Sequence, residues 1–199
     1  GVFVHMKEVL PGHCLTVSRE GIVDHCYWEL IGKPHTDSYG QTVEKVSHLL
    51  IDSVSRQMVS DVPLCAFLSG GLDSSLVSAM ANRALKEQGR QLKTFSFEFV
   101  GNREHFVPNA YQSALDRPFA DLMAKHLDSD HTILTCDNKK QADGLFDAVL
   151  ARDLPCMADV ESSLLHFCSQ AVKTHPVALT GECADEIFGG YPWFHREDL

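Results

Sequence analysis

No apolar run in the 199 residues approaches the ~20 needed to span a bilayer, and the opening GVFVHMKEVLPGH has none of the regions of a secretory leader. A soluble, cytoplasmic protein is expected. There is no C-x-x-C pair, and the seven cysteines (Cys14, Cys26, Cys65, Cys136, Cys156, Cys168, Cys183) are odd in number. That argues against a disulfide framework and for a reduced compartment, with most of the thiols acting as small buried hydrophobes. Eleven histidines occur without an H-x-x-x-H or H-E-x-x-H spacing, so no zinc site is expected. Basic residues are scarce, 17 Lys+Arg against 27 Asp+Glu for a net charge of −10. A protein that coats nucleic acid is thereby excluded, because such binding neutralises phosphates with Lys and Arg. Any phosphate ligand here must be met by backbone amides or a metal. Thirteen glycines and eight prolines in a chain that is 44% hydrophobic leave no room for collagen-like or disordered character. A chain of this size buries roughly 70% of its unfolded surface, enough for a proper core without metal or disulfide staples.

What is present changes character along the chain. Residues 1 to about 32 alternate, with Val2, Val4, Met6 and then Leu15, Val17 on one face and turn signals at Pro11-Gly12 and Glu20-Gly21, which predicts a short antiparallel β segment. A Gly/Pro/Ser connector covers 33–40. Ser38 and Gln41 have capping-box spacing, and Val43, Val46, Leu50 and Val54 recur at helical intervals, so a helix is expected over 41–59. From Val62 the order becomes buried strand, Gly/Ser loop and a long helix over 76–88, then a strand at 93–99 (KTFSFEF), a long loop at 100–117, a helix over 118–127 and a strand at 131–136. Helices over 139–151 and 160–173 precede a last strand at 177–180. Strands separated by helices predict an α/β fold of three layers, a mostly parallel sheet with helices on both faces, over 41–199. Ligands in such sheets sit at the carboxyl ends of the strands.

Two of those strand ends carry chemistry. Ser69 to Ser75 read S-G-G-L-D-S-S between a buried strand and a helix. Gly70 and Gly71 permit a sharp turn and close approach, and Ser69, Ser74 and Ser75 place hydroxyls beside the free amides of a helix start, which makes a phosphate cradle. The lysine of a P-loop is missing, and Asp73 would repel a bare polyphosphate unless it holds a divalent cation. Thr180 to Tyr191 read T-G-E-C-A-D-E-I-F-G-G-Y, and Glu182, Asp185 and Glu186 at i, i+3, i+4 would share one side of a helical turn. Packed like charges again imply a hard cation, so Mg²⁺ between Asp73 and Asp185 is expected to grip a pyrophosphate. Phe95, Phe97 and Phe99 read as core, His105, His126 and His131 as surface or loop residues, and Cys183 as a spacer beside the site.

These two motifs, with KTFSFEF between them, resemble the synthetase domain of glutamine-dependent asparagine synthetases, in the ATP pyrophosphatase superfamily. The resemblance implies an adenine nucleotide alpha hydrolase-like fold over 41–199, with 1–32 as the last strands of the preceding glutaminase domain. It implies a ligase that adenylates the aspartate side chain with ATP, releases pyrophosphate and lets ammonia displace AMP. Ser69, Gly70, Gly71, Asp73, Ser74 and Ser75 would bind the pyrophosphate portion, Leu68 and the backbone around Phe97 the adenosine, with Thr180 and Gly181 bordering the nucleotide. Asp73 and Asp185 would hold Mg²⁺, and Glu182 would be the general base toward ammonia. The partners implied are ATP, aspartate and ammonia from glutamine, with no nucleic acid or membrane, and with a homodimer open to a truncated surface.

The sequence also departs from the family. The acidic motif there reads S-G-E-G-S-D-E, where this chain has Thr180, Cys183 and Ala184, and the segment LPCMADVESS lacks the basic T-x-R-A-S pattern. No amino-terminal cysteine nucleophile and no downstream lysine are present, so the chain reads as an incomplete fragment, inactive by itself. Two other readings stay open: a related adenylating cyclase of the β-lactam or lasso-peptide type, and a nucleotide-binding module without turnover.

Overall fold

The computed structural model describes residues 3–109, 112–155 and 157–197, and only the backbone of 158 and 159. Two compact units divide the chain, Gly1–Glu44 and Lys45–Leu199. In the first, β1 (His13–Ser18) and β2 (Gly21–Cys26) form an antiparallel hairpin, with Ser18 opposite Gly21 across the turn. Residues 3–10 and 27–30, expected as strands, are turns and irregular chain instead. Their alternation finds no strand to pair with among the described residues, and alternation without a ladder does not make a strand. The base of the hairpin is closed by Tyr27 and Trp28, whose amides both donate to the Gly12 carbonyl.

Helix α1 (Tyr39–Gln57) begins with the expected capping box: the Ser38 amide donates to Gln41 Oε1 at 2.9 Å and the Gln41 amide to Ser38 Oγ at 3.4 Å. In the second unit four parallel strands, β3 (Leu64–Phe67), β4 (Lys93–Phe99), β5 (Asp130–Cys136) and β6 (Val177–Leu179), lie in the order β5-β4-β3-β6. β3 is apolar throughout because it is central and covered on both faces. Leu64 and Ala66 face α1 and α2 (Leu72–Lys86), packing with Val54, Ala81 and Leu85. Cys65 and Phe67 face the other way, where Phe95, Phe97 and Leu134 meet Phe167 and Ala171 of α7 (Ala158–Ala171). Helix α4 (Arg117–Leu127) joins the α2 side through Ala120 and Ala124 on Leu68. The result is the expected three layers.

Further expectations are corrected. Helix α2 starts at Leu72, so Asp73, Ser74 and Ser75 form its first turn and are not loop. The single helix expected at 139–151 is two, α5 (Asn138–Asp143) and α6 (Leu145–Arg152), broken at Gly144 where Ser162 of α7 approaches closely. The stretch taken as a long loop contains the short helix α3 (Asn102–His105). Of the six cysteines described, only Cys65 and Cys136 are buried, while Cys14, Cys26, Cys168 and Cys183 are exposed and all six are free; Cys156 lies outside the described residues. Exposure follows from placement: Cys14 and Cys26 sit on a hairpin open to solvent and Cys183 on a turn. No helix among the described residues is long and apolar enough to cross a membrane.

Candidate active site

The chain runs from β3 to β4 on one side, while β6 closes against β3 on the other, so the sheet order reverses between β3 and β6. A crevice at the carboxyl ends of the two strands follows from that reversal. It is present as a cavity of about 690 Å³, and both sequence motifs line it. Leu68, Ser69, Gly71, Asp73 and Ser74 come from the β3 side, Thr180, Gly181, Glu182, Cys183, Asp185 and Glu186 from the β6 side, and Phe97 from β4.

The decisive contact is backbone to backbone. A Cβ added to Gly181 would lie 2.7 Å from the Ser74 amide nitrogen and 2.9 Å from the Asp73 carbonyl carbon. The two motifs therefore touch where only glycine fits. The start of α2 has no side-chain cap, which leaves first-turn amides available to a ligand beside the positive end of the helix.

The serine hydroxyls do something the sequence did not foretell. Ser74 Oγ accepts from the Ser69 amide at 3.2 Å, pairs with Ser69 Oγ at 2.8 Å and donates to the Gly71 carbonyl at 3.3 Å. Ser74 is buried and knits the turn from within. Gly70 and Ser75 are not among the cavity-lining residues. Gly70 has φ +91°, and a Cβ there would strike the Ala120 amide at 2.5 Å; packing of α4 requires this glycine.

The acidic motif also differs in detail. Glu182 precedes α8 (Ala184–Phe188) and does not share a helical face with Asp185 and Glu186, because Cys183 turns the chain with φ +69°. All three carboxylates nevertheless border the cavity, joined by Asp116, the residue before α4. Tyr191 donates to Glu186 Oε1 at 2.8 Å, and that bond to a carboxylate raises its phenol above the ordinary value. Cys168 is exposed at its residue surface, but partial desolvation of its sulfur, together with nearby Glu182, raises the thiol.

The sequence reading missed Arg117. It lines the cavity as the first residue of α4, its Nη1 donating to Glu98 Oε2 at 2.7 Å and its Nε to both Asp121 carboxylate oxygens at 2.8 Å. Burial works against its charge, but Asp121 and Glu98 more than offset this and hold the guanidinium above its usual value. The available signal was D-R-P ahead of an apolar helical pattern, a helix start that carries one cation.

His131, expected on the surface or in a loop, is on β5 with its Nδ1 2.8 Å from Thr94 Oγ1, while its Nε2 is buried without a hydrogen-bond partner. Phe95 and Phe97 are core as expected, and Phe97 packs against Phe167 at a centroid distance of 5.3 Å.

The model of the asparagine synthase family matches residues 45–199, the whole of the unit that holds this cavity. The chain belongs to the asparagine synthase family. It is 46% identical over 200 residues to glutamine-hydrolysing asparagine synthetase 3 of Bacillus subtilis, covering 100% of this chain and 33% of that protein. It is 35% identical over 199 residues to asparagine synthetase 1 of the same organism, covering 98% and 29%. Among solved structures, an NAD+ synthetase from Burkholderia pseudomallei aligns at 17% identity and a TM-score of 0.41, over 76% of this chain and 66% of that one. The chain thus spans about a third of the length of these synthetase relatives.

Proposed function

We propose that this chain carries the nucleotide half of an asparagine synthetase, adenylating the aspartate side chain with ATP before ammonia displaces AMP. The observation that supports this most is the backbone contact of Gly181 with Asp73 and Ser74, which makes one cavity of an amide-lined turn and an acidic turn. An aspartate carboxylate oxygen attacks the α-phosphorus, the bond to the β-phosphate oxygen breaks, and pyrophosphate leaves toward the uncapped amides of α2. Ammonia then attacks the acyl carbon, the bond to AMP breaks, and Glu182 takes the surplus proton.

Mg²⁺ fits the donors present. Asp73 and Asp185 offer hard oxygens on one cavity, while among the described residues no group of three or more His, Cys, Asp or Glu forms a closed metal cage. A cation held by one or two carboxylates and completed by substrate phosphates is the usual Mg²⁺ arrangement. When bound, it would neutralise the charge of the departing pyrophosphate. Ser69 and Gly71 shape the turn around the leaving group, Leu68 and the Phe97 backbone border the adenosine, and Thr180 and Gly181 the nucleotide edge. Residues 1–32 are read as the end of a glutaminase domain, with a linker at 33–40, and the setting as cytoplasmic.

Calorimetry with ATP and Mg²⁺ tests the reading, with heat expected from the wild type and none from Asp73→Ala. Identical titrations for the two proteins would overturn it. Glu182→Gln should retain nucleotide binding and lose amide formation with ammonia in the whole enzyme.

A further inference from the structure

We infer that Arg117 is the residue that meets the α-phosphate of the nucleotide, an inference that rests on the adenylation reading above. The lining of the cavity is strongly acidic, with Asp73, Asp116, Glu182, Asp185 and Glu186, and Arg117 is the cation among its described lining residues. A triphosphate entering such a site needs positive partners at more than one point along its length. Asp73 and Asp185, the residues read as metal ligands, come from the β3 and β6 side, which assigns the β- and γ-phosphates there. Arg117 opens α4 and is paired to Glu98 on β4, which lies on the other side of β3 from β6 in the sheet order, so it stands toward the side read as holding the adenosine, where the α-phosphate would lie.

The guanidinium is also built to do this. Its Nε is committed to Asp121 and one Nη1 hydrogen to Glu98, which fixes the plane of the fork and commits two of its five donors. The side chain is 23% exposed and its partner Glu98 only 15%, so the pair is largely desolvated and held by structure on both sides. An arginine oriented in this way presents its remaining donors to a phosphate oxygen without losing rotamer freedom on binding. Charge developing on the α-phosphoryl oxygens during attack would strengthen that contact.

The test compares adenosine, AMP and ATP with Mg²⁺ as calorimetric ligands for the wild type, Arg117→Gln and Arg103→Gln. Arg103 also pairs with Glu98, at 3.6 Å, but does not line the cavity. Loss of one charge-assisted contact should weaken AMP and ATP about tenfold in Arg117→Gln, while adenosine stays within about twofold. Arg103→Gln should bind all three as the wild type does. If Arg117→Gln binds AMP as tightly as the wild type, or loses adenosine in the same proportion, Arg117 only braces β4 against α4 and the inference falls, with the adenylation reading intact. Failure of the wild type to bind any of the phosphorylated ligands would overturn that reading and this inference together. Should the glutamine variant not fold, Arg117→Lys retains a charge but not the fork. The ratio of AMP to adenosine affinity must still fall, and an unchanged ratio would overturn the assignment.

Discussion

Gly181→Ala probes the junction on which the site depends. The added methyl would sit 2.7 Å from the Ser74 nitrogen and 2.9 Å from the Asp73 carbonyl carbon, and both obstacles are backbone. Relief to ordinary contact at 3.4 Å requires the two strand-end turns to part by about 0.7 Å, which the pairing of β3 with β6, Ala66 opposite Leu179, resists. Overpacking of this kind costs about 1–3 kcal/mol, and for a chain of this size each kcal/mol lowers Tm by ~2–4 °C, so a drop of about 2–12 °C is expected. The effect on chemistry should exceed the effect on stability. A displacement beyond ~0.5 Å spoils a preorganised site, and a misplacement near 1 Å can lower turnover about a hundredfold. Differential scanning fluorimetry reads the stability loss, and titration with Mg²⁺ and ATP on the same sample reads the damage to the site as weakened nucleotide binding. Gly40→Ala serves as the control, since a Cβ there meets nothing within 4 Å and alanine is the better helix former. A Gly181→Ala protein that melts with the wild type and binds nucleotide equally well would refute the contact between the two motifs.

Three further outcomes follow from the same geometry. Ser74→Ala strands the Ser69 amide and should destabilise the chain by about 1–3 kcal/mol in urea unfolding, a cost that a hydroxyl serving only as a ligand contact would not show. His131 is held below its ordinary value of 6.5, first by burial and then by Arg117 and Lys93, with Asp121 and Asp130 opposing. The unfolded chain therefore takes up a proton near 6.5 that the folded chain refuses, so its stabilising contribution is complete above that pH and declines as pH falls through it. Thermal scans of His131→Gln should lose less stability than the wild type on going below pH 6.5, and parallel curves would exclude this role. Burial pushes the Cys65 thiol up to about 11, and Cys136 is fully buried, so neither should react with iodoacetamide at pH 8. Cys183 lies on the cavity and should be labelled, with ATP and Mg²⁺ slowing the reaction; peptide mass spectrometry that finds no protection would place the nucleotide elsewhere.

Local chemistry alone determined a good deal of this protein. The all-apolar Leu64–Phe67 announced a strand covered on both faces, Ser38 and Gln41 announced a capped helix, and the glycine-serine turn and acidic turn stood out by composition at the ends of strands. Each of those features is specified by neighbours a few residues away. The alternation in residues 3–10 misled for the same reason, because a strand needs a distant partner that local sequence cannot supply. Tertiary structure decided how the flagged groups are placed around the shared cavity. It turned Ser74 inward as a brace, assigned Gly70 to the packing of α4, and moved Glu182 off the helical face. It also brought Arg117, far from either motif in sequence, to the wall of their shared cavity. Such placements arise from the order β5-β4-β3-β6, and strand order is fixed by packing across the whole sheet, where no short stretch of residues holds the information.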